Sequence, residues 1–388
     1  MTRVIVPRWV HLGRSGYRFT MVPGEISDRL ARARALAQDA GWDAMLITPG
    51  PDLRYLAGYD AVPLERVTCL VVPTDGDPVL VVPGLERAAA EASPLASAGV
   101  PILTWAETDN PYALVASLVP TARRVGVDDH MWAVKVLRLR AAMPDVEQEP
   151  AGLVLSTMRM RKSRDELEAL RRAAAAIDAV HDQVPDLLRM GRTEREVGRD
   201  IAALILEAGH VSTDFVIVAS GPNGASPHHE VSDRILRMGD PIVVDIGGTM
   251  PDGYCSDETR TYALGDPGPE YLHAYAVLLE AQRMATNGVR PGVPCEEIDT
   301  LARDHLTSHG LGDLFIHRTG HGIGLETHED PYIVQGNALP LEPGMVFSIE
   351  PGFYAEGRWG ARIEDIVACG DDGAVVLNQQ PRDLIVVG

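Results

Sequence analysis

Ile242-Val243-Val244-Asp245 and, after a turn-prone Met250-Pro251-Asp252-Gly253, the stretch Tyr254-Cys255-Ser256-Asp257-Glu258-Thr259-Arg260-Thr261 decide how this chain is read. An apolar strand-like run wants a dry interior, so a carboxylate at its end is costly unless something compensates it. A hairpin through residues 250–253 brings Asp257 onto the same surface as Asp245. Glu350 repeats the pattern at the end of the run Met345 to Ile349, and Glu364 lies within Ile363 to Ala368. Taken singly, each acid reads equally well as a solvated strand end or as the partner of Arg260 or Arg362. Thr319-Gly320-His321-Gly322-Ile323-Gly324 weakens that plain reading, because its glycines let backbone approach closely around an imidazole. No strand followed by a GxGxxG or GxxxxGK[ST] loop is present, which argues against a nucleotide.

Four carboxylates gathered at one place repel by roughly 4 kcal/mol per pair at ~4 Å and an effective dielectric near ~20, or else take up protons. Two divalent cations remove the conflict, since their charge sums to zero with the four acids. They leave room for a bridging hydroxide whose pKa falls toward ~7. Oxygen-dominated ligation with one imidazole suits manganese first, with cobalt, iron or zinc able to compete. The predicted metal ligands are Asp245, Asp257, His321, Glu350 and Glu364.

The remaining composition sets bounds. At 388 residues the chain exceeds the ~250–300 residues at which single cores stop growing, so two domains are expected. With 45% apolar and 23% charged residues it reads as globular. No window approaches the ~18 apolar residues of a membrane span. The first residues lack the apolar core and small-residue cleavage site of a signal peptide, so the expected location is cytoplasmic. Cys69, Cys255, Cys295 and Cys369 form no CxxC pair, which argues against a disulfide framework or a zinc ribbon. A formal charge of −20 disfavours nucleic acid and acidic membrane surfaces as partners.

Residues 1–24 show neither helical nor strand periodicity and read as a loose leader. Residues 25–150 alternate short apolar runs with amphipathic stretches, an α/β unit. Residues 151–388 hold a long helix opened by Ser163 and Glu166 and expected to kink at Pro185, and a second helix opened by Thr193 and Glu196. Further helices near 269–287 and 294–309 and at least five strand-like runs follow. Strands and helices do not alternate strictly there, so the expected class is α+β, a curved and mostly antiparallel sheet with helices on its outer face.

The five acid and histidine motifs, in this order over residues 158–388, resemble the pita-bread-fold metallopeptidases, which include methionine aminopeptidase, aminopeptidase P and prolidase. Pro227-His228-His229, Ile316-His317-Arg318 and Ala361-Arg362-Ile363-Glu364-Asp365 strengthen the likeness, and within that family His317, His328 and Arg362 point to the Xaa-Pro branch. The stretch from Trp42 through Tyr55-Leu56-Ala57-Gly58 resembles the creatinase/prolidase amino-terminal domain, and the nearest likeness is to bacterial Xaa-Pro dipeptidases. The resemblance implies that Asp245 and Asp257 hold one metal, that Asp257, His321 and Glu364 hold the other, and that Glu350 and Glu364 help bind both. It further implies that Glu350 moves the proton to the leaving nitrogen, that His328 stabilises the tetrahedral oxygen and that His228 positions the substrate. His317 and Arg362 would line the proline pocket and face its carboxylate. The implied function is hydrolysis of the Xaa-Pro bond in dipeptides or short peptides by a homodimer whose amino-terminal domains wall the cleft. The alternatives are an aminopeptidase P acting on longer peptides, a lyase or hydrolase of the same fold acting on a non-peptide substrate, and a binding module. Two departures stand out. Asp245 and Asp257 are one residue further apart than in many relatives, and Tyr332 stands where some archaeal prolidases carry an arginine.

Overall fold

The computed structural model describes residues 22–388. The expected leader lies outside the described residues up to position 21, and Pro23 already opens a helix, Pro23–Asp39, at a position where a missing N–H costs nothing.

Six strands form the first sheet: β1 (Ala44–Ile47), β2 (Cys69–Pro73), β3 (Val79–Pro83), β4 (Ile102–Trp105), β5 (Arg124–Val127) and β6 (Glu147–Pro150). Their order is β4-β3-β2-β1-β5-β6. The β1–β2 and β2–β3 pairs are antiparallel and the rest parallel. β1 and β2 are buried along nearly their whole length, which is why they read as continuous apolar runs rather than alternating ones. β6 has no apolar pattern and was invisible to periodicity. It is an edge strand against β5, and its Glu149 accepts from the Trp42 indole at 2.8 Å and pairs with Arg124.

After the helix Gly152–Arg159 comes the helix Arg164–His181, opened by the predicted capping box. Glu166 N donates to Ser163 Oγ at 3.3 Å, and Ser163 N donates to Glu166 Oε2 at 2.9 Å. The expected kink at Pro185 is corrected: this helix stops at His181, and Pro185 sits at the start of a separate turn, Val184–Leu187. Proline has no N–H to offer the carbonyl four residues back. That carbonyl, of His181, instead faces the Tyr262 hydroxyl at 3.4 Å.

His181 itself is buried, with Nδ1 2.9 Å from Tyr262 Oη and Nε2 3.2 Å from the Glu258 carbonyl. Burial, reinforced by nearby Arg260, pushes its pKa down to about 3. An unfolded histidine titrates near ~6.5, so the folded state binds fewer protons below that value and stability is lost as pH falls. Between pH ~6.5 and ~4 roughly 3 kcal/mol of unfolding free energy should disappear. Urea melts across that range will show the slope, and His181→Gln should flatten it; an unchanged slope in the variant would refute the assignment.

The second domain is built on β7 (Ser212–Ser220), β8 (Pro241–Thr249), β9 (Cys255–Leu264), β10 (Gly320–Gly322), β11 (Glu329–Ile333), β12 (Val346–Ile349), β13 (Gly352–Ala355), β14 (Trp359–Arg362), β15 (Asp365–Cys369), β16 (Ala374–Val376) and β17 (Ile385–Val387). They form sheets ordered β17-β9-β8-β7 and β11-β10-β12-β15-β16, with β13-β14 as a hairpin. Every pair is antiparallel except β17 on β9. The helices Arg164–His181 and Glu194–Glu207 cover one sheet by packing Ile177, Ile201 and Ile205 on Val218, Val244 and Ile246. Pro269–Gly288 and Cys295–Ser308 cover the other through Leu278 and Ile298 on Phe347 and Val367. Apolar helical stripes thus bury the outer faces, and the carboxylates are left for the inner ones. The whole is the expected pita-bread α+β domain preceded by an α/β domain.

Candidate metal centre

β8 and β9 pair without a register shift from Pro241 opposite Ala263 to Thr249 opposite Cys255. The additional residue between the two aspartates is therefore taken up in the turn, where Gly253 N donates to the Met250 carbonyl at 2.8 Å with Gly253 at φ 85°. Asp245 lies opposite Thr259 and Asp257 opposite Gly247, so both acids fall on the same face. A Cβ on Gly247 would come within 2.4 Å of the Phe215 ring, which leaves no room for a larger residue.

Glu350 and Glu364 are reached differently. Glu364 was expected inside a strand but occupies the break between β14 and β15, where its N–H bonds the Thr259 carbonyl at 3.1 Å. Glu350 lies just past β12 and bonds the Thr319 carbonyl at 2.8 Å. Consecutive Glu364 and Asp365 serve different partners, as residues pointing to opposite sides do. Asp365 pairs with Arg260 and Arg382.

The glycines around His321 admit the close backbone approach expected of them. A Cβ on Gly320 would lie 1.9 Å from the Ser348 carbonyl, and one on Gly322 would lie 2.2 Å from that of Asp330. They let β10 sit tightly between β12 and β11, on either side of the imidazole. His321 Nδ1 lies 3.1 Å from the Gly322 carbonyl, which can only accept, so Nδ1 carries a proton and Nε2 is the nitrogen turned to the carboxylates. That nitrogen is 3.6 Å from Asp257 Oδ2 and 3.2 Å from Glu350 Oε1.

Asp245, Asp257 and Glu364 each offer an oxygen within 4.8 Å of the others, and a ring nitrogen of His321 with oxygens of Glu350 and Glu364 forms a second such trio. Two overlapping trios share Glu364. Asp245 Oδ1 and Glu364 Oε1 are buried without a hydrogen-bond partner, a costly arrangement that a cation between them relieves. Burial, then the charges of Glu364, Asp245 and Glu350, push Asp257 well above the usual carboxylate range. Burial, then Glu350 and Asp245, does the same to Glu364. Hard oxygen donors with one neutral imidazole fit a pair of divalent ions.

All nine residues singled out from the sequence, from His228 to Glu364, line one cavity of about 1010 Å³. The plain alternative holds for one acid of the four: buried Arg362 pairs with Asp245 Oδ2. Arg362 also donates to Tyr354 Oη at 2.7 Å. Tyr354 Oη stands 2.8 Å from His317 Nε2, and His317 Nδ1 is 2.7 Å from the Arg318 carbonyl. The proton order is then Arg362 to Tyr354 to His317 to carbonyl. Burial lowers the His317 pKa, which keeps the ring neutral.

His328 stands at the rim with its ring 3.9 Å from that of His321. Arg318 Nη2 lies 3.3 Å from its Nδ1, and a guanidinium only donates, so the His328 proton sits on Nε2. Burial, then its neighbours His321 and Arg318, lowers it to about 4. His228 is exposed on the segment 221–232. That segment is held by Glu194, which is fully buried and accepts from Ser220 N and Oγ, Asn223, Ser232 and His229. Sequence reading missed Glu194 and Tyr354. Glu194 looks like an ordinary first-turn acid of its helix, and only its tertiary partners reveal its task.

Inner-face carboxylates from a twinned antiparallel sheet, one imidazole and helices outside define a pita-bread metallopeptidase. The chain belongs to metallopeptidase family M24, whose sequence profile matches residues 168–371, and the creatinase/prolidase N-terminal domain profile matches residues 29–161. A "Probable dipeptidase PepE" of Mycobacterium bovis is 52% identical over 92% of this chain and 96% of its own. The Xaa-Pro dipeptidase of Lactobacillus helveticus is 34% identical over 90% of this chain and 96% of its own. The crystal structure of dipeptidase PepE from Mycobacterium ulcerans superposes with a TM-score of 0.92 at 50% identity, covering 95% of this chain and 99% of that one. Among the described residues no helix is long and apolar enough to cross a membrane.

Proposed function

We propose that this metallopeptidase hydrolyses the Xaa-Pro bond of dipeptides and short peptides, with manganese as the native ion pair. The observation that bears most weight is the pair of ligand trios sharing Glu364, set in a cavity whose wall includes Phe215, Val216, Ile217 and Ile316. A proline ring suits that apolar wall, and the relatives' names as dipeptidases agree with a small substrate. Two bound divalent ions supply Lewis acidity and a water that is nucleophilic near neutral pH.

The chain's own groups do the rest. Glu350 accepts the proton of the attacking water and hands it to the departing imino nitrogen. His328 donates a hydrogen bond from Nε2–H to the oxygen that gains charge as the carbonyl becomes tetrahedral. His228 orients the substrate beside the scissile bond, and His317 with Arg362 lines the proline end. A homodimer, each amino-terminal domain closing its partner's cleft, is the assembly this reading expects.

Metal-stripped protein should be inactive, and Mn²⁺ should restore turnover more fully than Co²⁺ or Zn²⁺. Across a panel from Xaa-Pro to Xaa-Pro-Yaa-Zaa, the expected result is free proline from the dipeptide, with rates falling as the peptide lengthens. Activity that survives complete chelation refutes the metal reading. Release of only the first residue, from longer peptides alone, replaces the dipeptidase reading with aminopeptidase P.

A further inference from the structure

We infer that Arg159 is a positioning residue for His328, and that through it the amino-terminal domain takes part in catalysis within its own chain. The inference rests on the proposed role of His328. That histidine is bracketed by two acids, Glu326 and Glu329, and all four of their carboxylate oxygens are gripped by cations lying outside the catalytic sheets. Arg159, buried at the end of the helix Gly152–Arg159, holds Glu326 Oε2 at 2.7 Å and also pairs with Glu329 Oε2. Buried Lys162 takes Glu329 Oε1, and His130 Nε2 stands 3.0 Å from Glu326 Oε1.

The other ends of this clasp are anchored in the first domain. Arg159 Nη1 donates to Asp52 Oδ1 at 2.9 Å. Asp128 accepts from His130 N at 2.9 Å and from Thr48 N and Oγ1 at 2.8 and 2.7 Å. Hydrogen bonding to Asp128 and then to Glu326 raises His130 to about 10, so it is a cation at neutral pH. The third glycine of the His321 motif finds its reason here, because a Cβ on Gly324 would lie 2.6 Å from Glu329 Oε1. A second cavity, of about 520 Å³, is lined by Asp52, His130, Arg159, Glu326 and Glu329 and meets the active-site cavity at His328.

Buried ion pairs are poor stabilisers compared with apolar packing, but they impose geometry, since a buried charge tolerates few positions for its partner. Fixing the residues two before and one after His328 fixes where its Nε2 proton points. A misplacement of ~1 Å in a catalytic group can lower turnover ~100-fold.

The test is a double-mutant cycle with Arg159→Met and Glu326→Gln, each alone and combined with His328→Ala, assayed with leucyl-proline and Mn²⁺. Arg159→Met should lower kcat by ~10- to 100-fold with KM changed less than ~3-fold, and Glu326→Gln by ~5- to 10-fold. In the His328→Ala background each should add less than ~2-fold, because its effect runs through the missing ring. Deuterium uptake in peptides spanning 324–330 should rise in both variants while 241–264 stays unchanged. If Arg159→Met does not fold, Glu326→Gln gives both readouts with milder damage. Multiplying losses in the double variants, or unchanged uptake at 324–330, overturns the inference. A wild-type protein inert toward leucyl-proline refutes the proposed substrate instead, and the uptake measurement then still decides the clasp.

Discussion

Asp257→Asn is expected to lower turnover by ~10³-fold or more and, in the metal-stripped protein, to raise the unfolding midpoint. The two signs come from one cause. Asp257 is buried among Glu364, Asp245 and Glu350, and in the absence of cations their mutual repulsion works against the fold. An amide of the same shape removes one of those charges, so the stripped variant should melt at or above the stripped wild type. With metal the order reverses, because the wild type gains RT ln(1 + [M]/Kd), about 4 kcal/mol at ~1,000 Kd. The variant has lost a ligand common to both expected metal positions and gains little. Calorimetry in chelator and in excess Mn²⁺, with metal content by mass spectrometry, reads both halves. A stripped variant that melts below the stripped wild type, or one that retains two ions per chain, would contradict the site.

His328→Ala should separate chemistry from metal binding. The ring contacts His321 but stands at the rim, and its proton lies on the nitrogen that Arg318 does not engage. Losing a donor aimed at developing negative charge lowers kcat by ~10²- to 10³-fold, whereas the ground-state carbonyl barely registers the loss. KM should stay within ~3-fold and metal content should stay unchanged, the opposite pattern to Asp257→Asn. Because His328 is neutral down to about 4, the wild-type rate should show no acidic limb from this ring above that pH. A variant with normal kcat and raised KM would recast His328 as a binding residue only.

Much of this was legible in the residues themselves. β1 coincides with the apolar run Ala44-Met45-Leu46-Ile47, and the capping boxes at Ser163 and Thr193 open the helices they announce. These signals are local, since apolar runs and cap hydrogen bonds involve neighbours within a few positions. Asp245 and Asp257 were legible for the same reason, since one hairpin with a period of two puts them on one face.

Where the reading failed, the deciding partner was far along the chain. Glu364 leaves its strand to bond Thr259, 105 positions away, and Arg362 turns onto Asp245, 117 positions away. Pro185 ended a helix instead of bending it because Tyr262 was there to meet the freed carbonyl. By itself, then, the sequence determined the identity of the acids and the imidazole, the element types and the α+β class, since patterning and hydrogen-bonding capacity belong to single segments. Only the tertiary structure decided which oxygens remain unpaired, which tautomer each histidine adopts and how Arg159 ties the first domain to the His328 segment. Those outcomes depend on how separate segments meet in space, and no pattern of residue types along the chain encodes them.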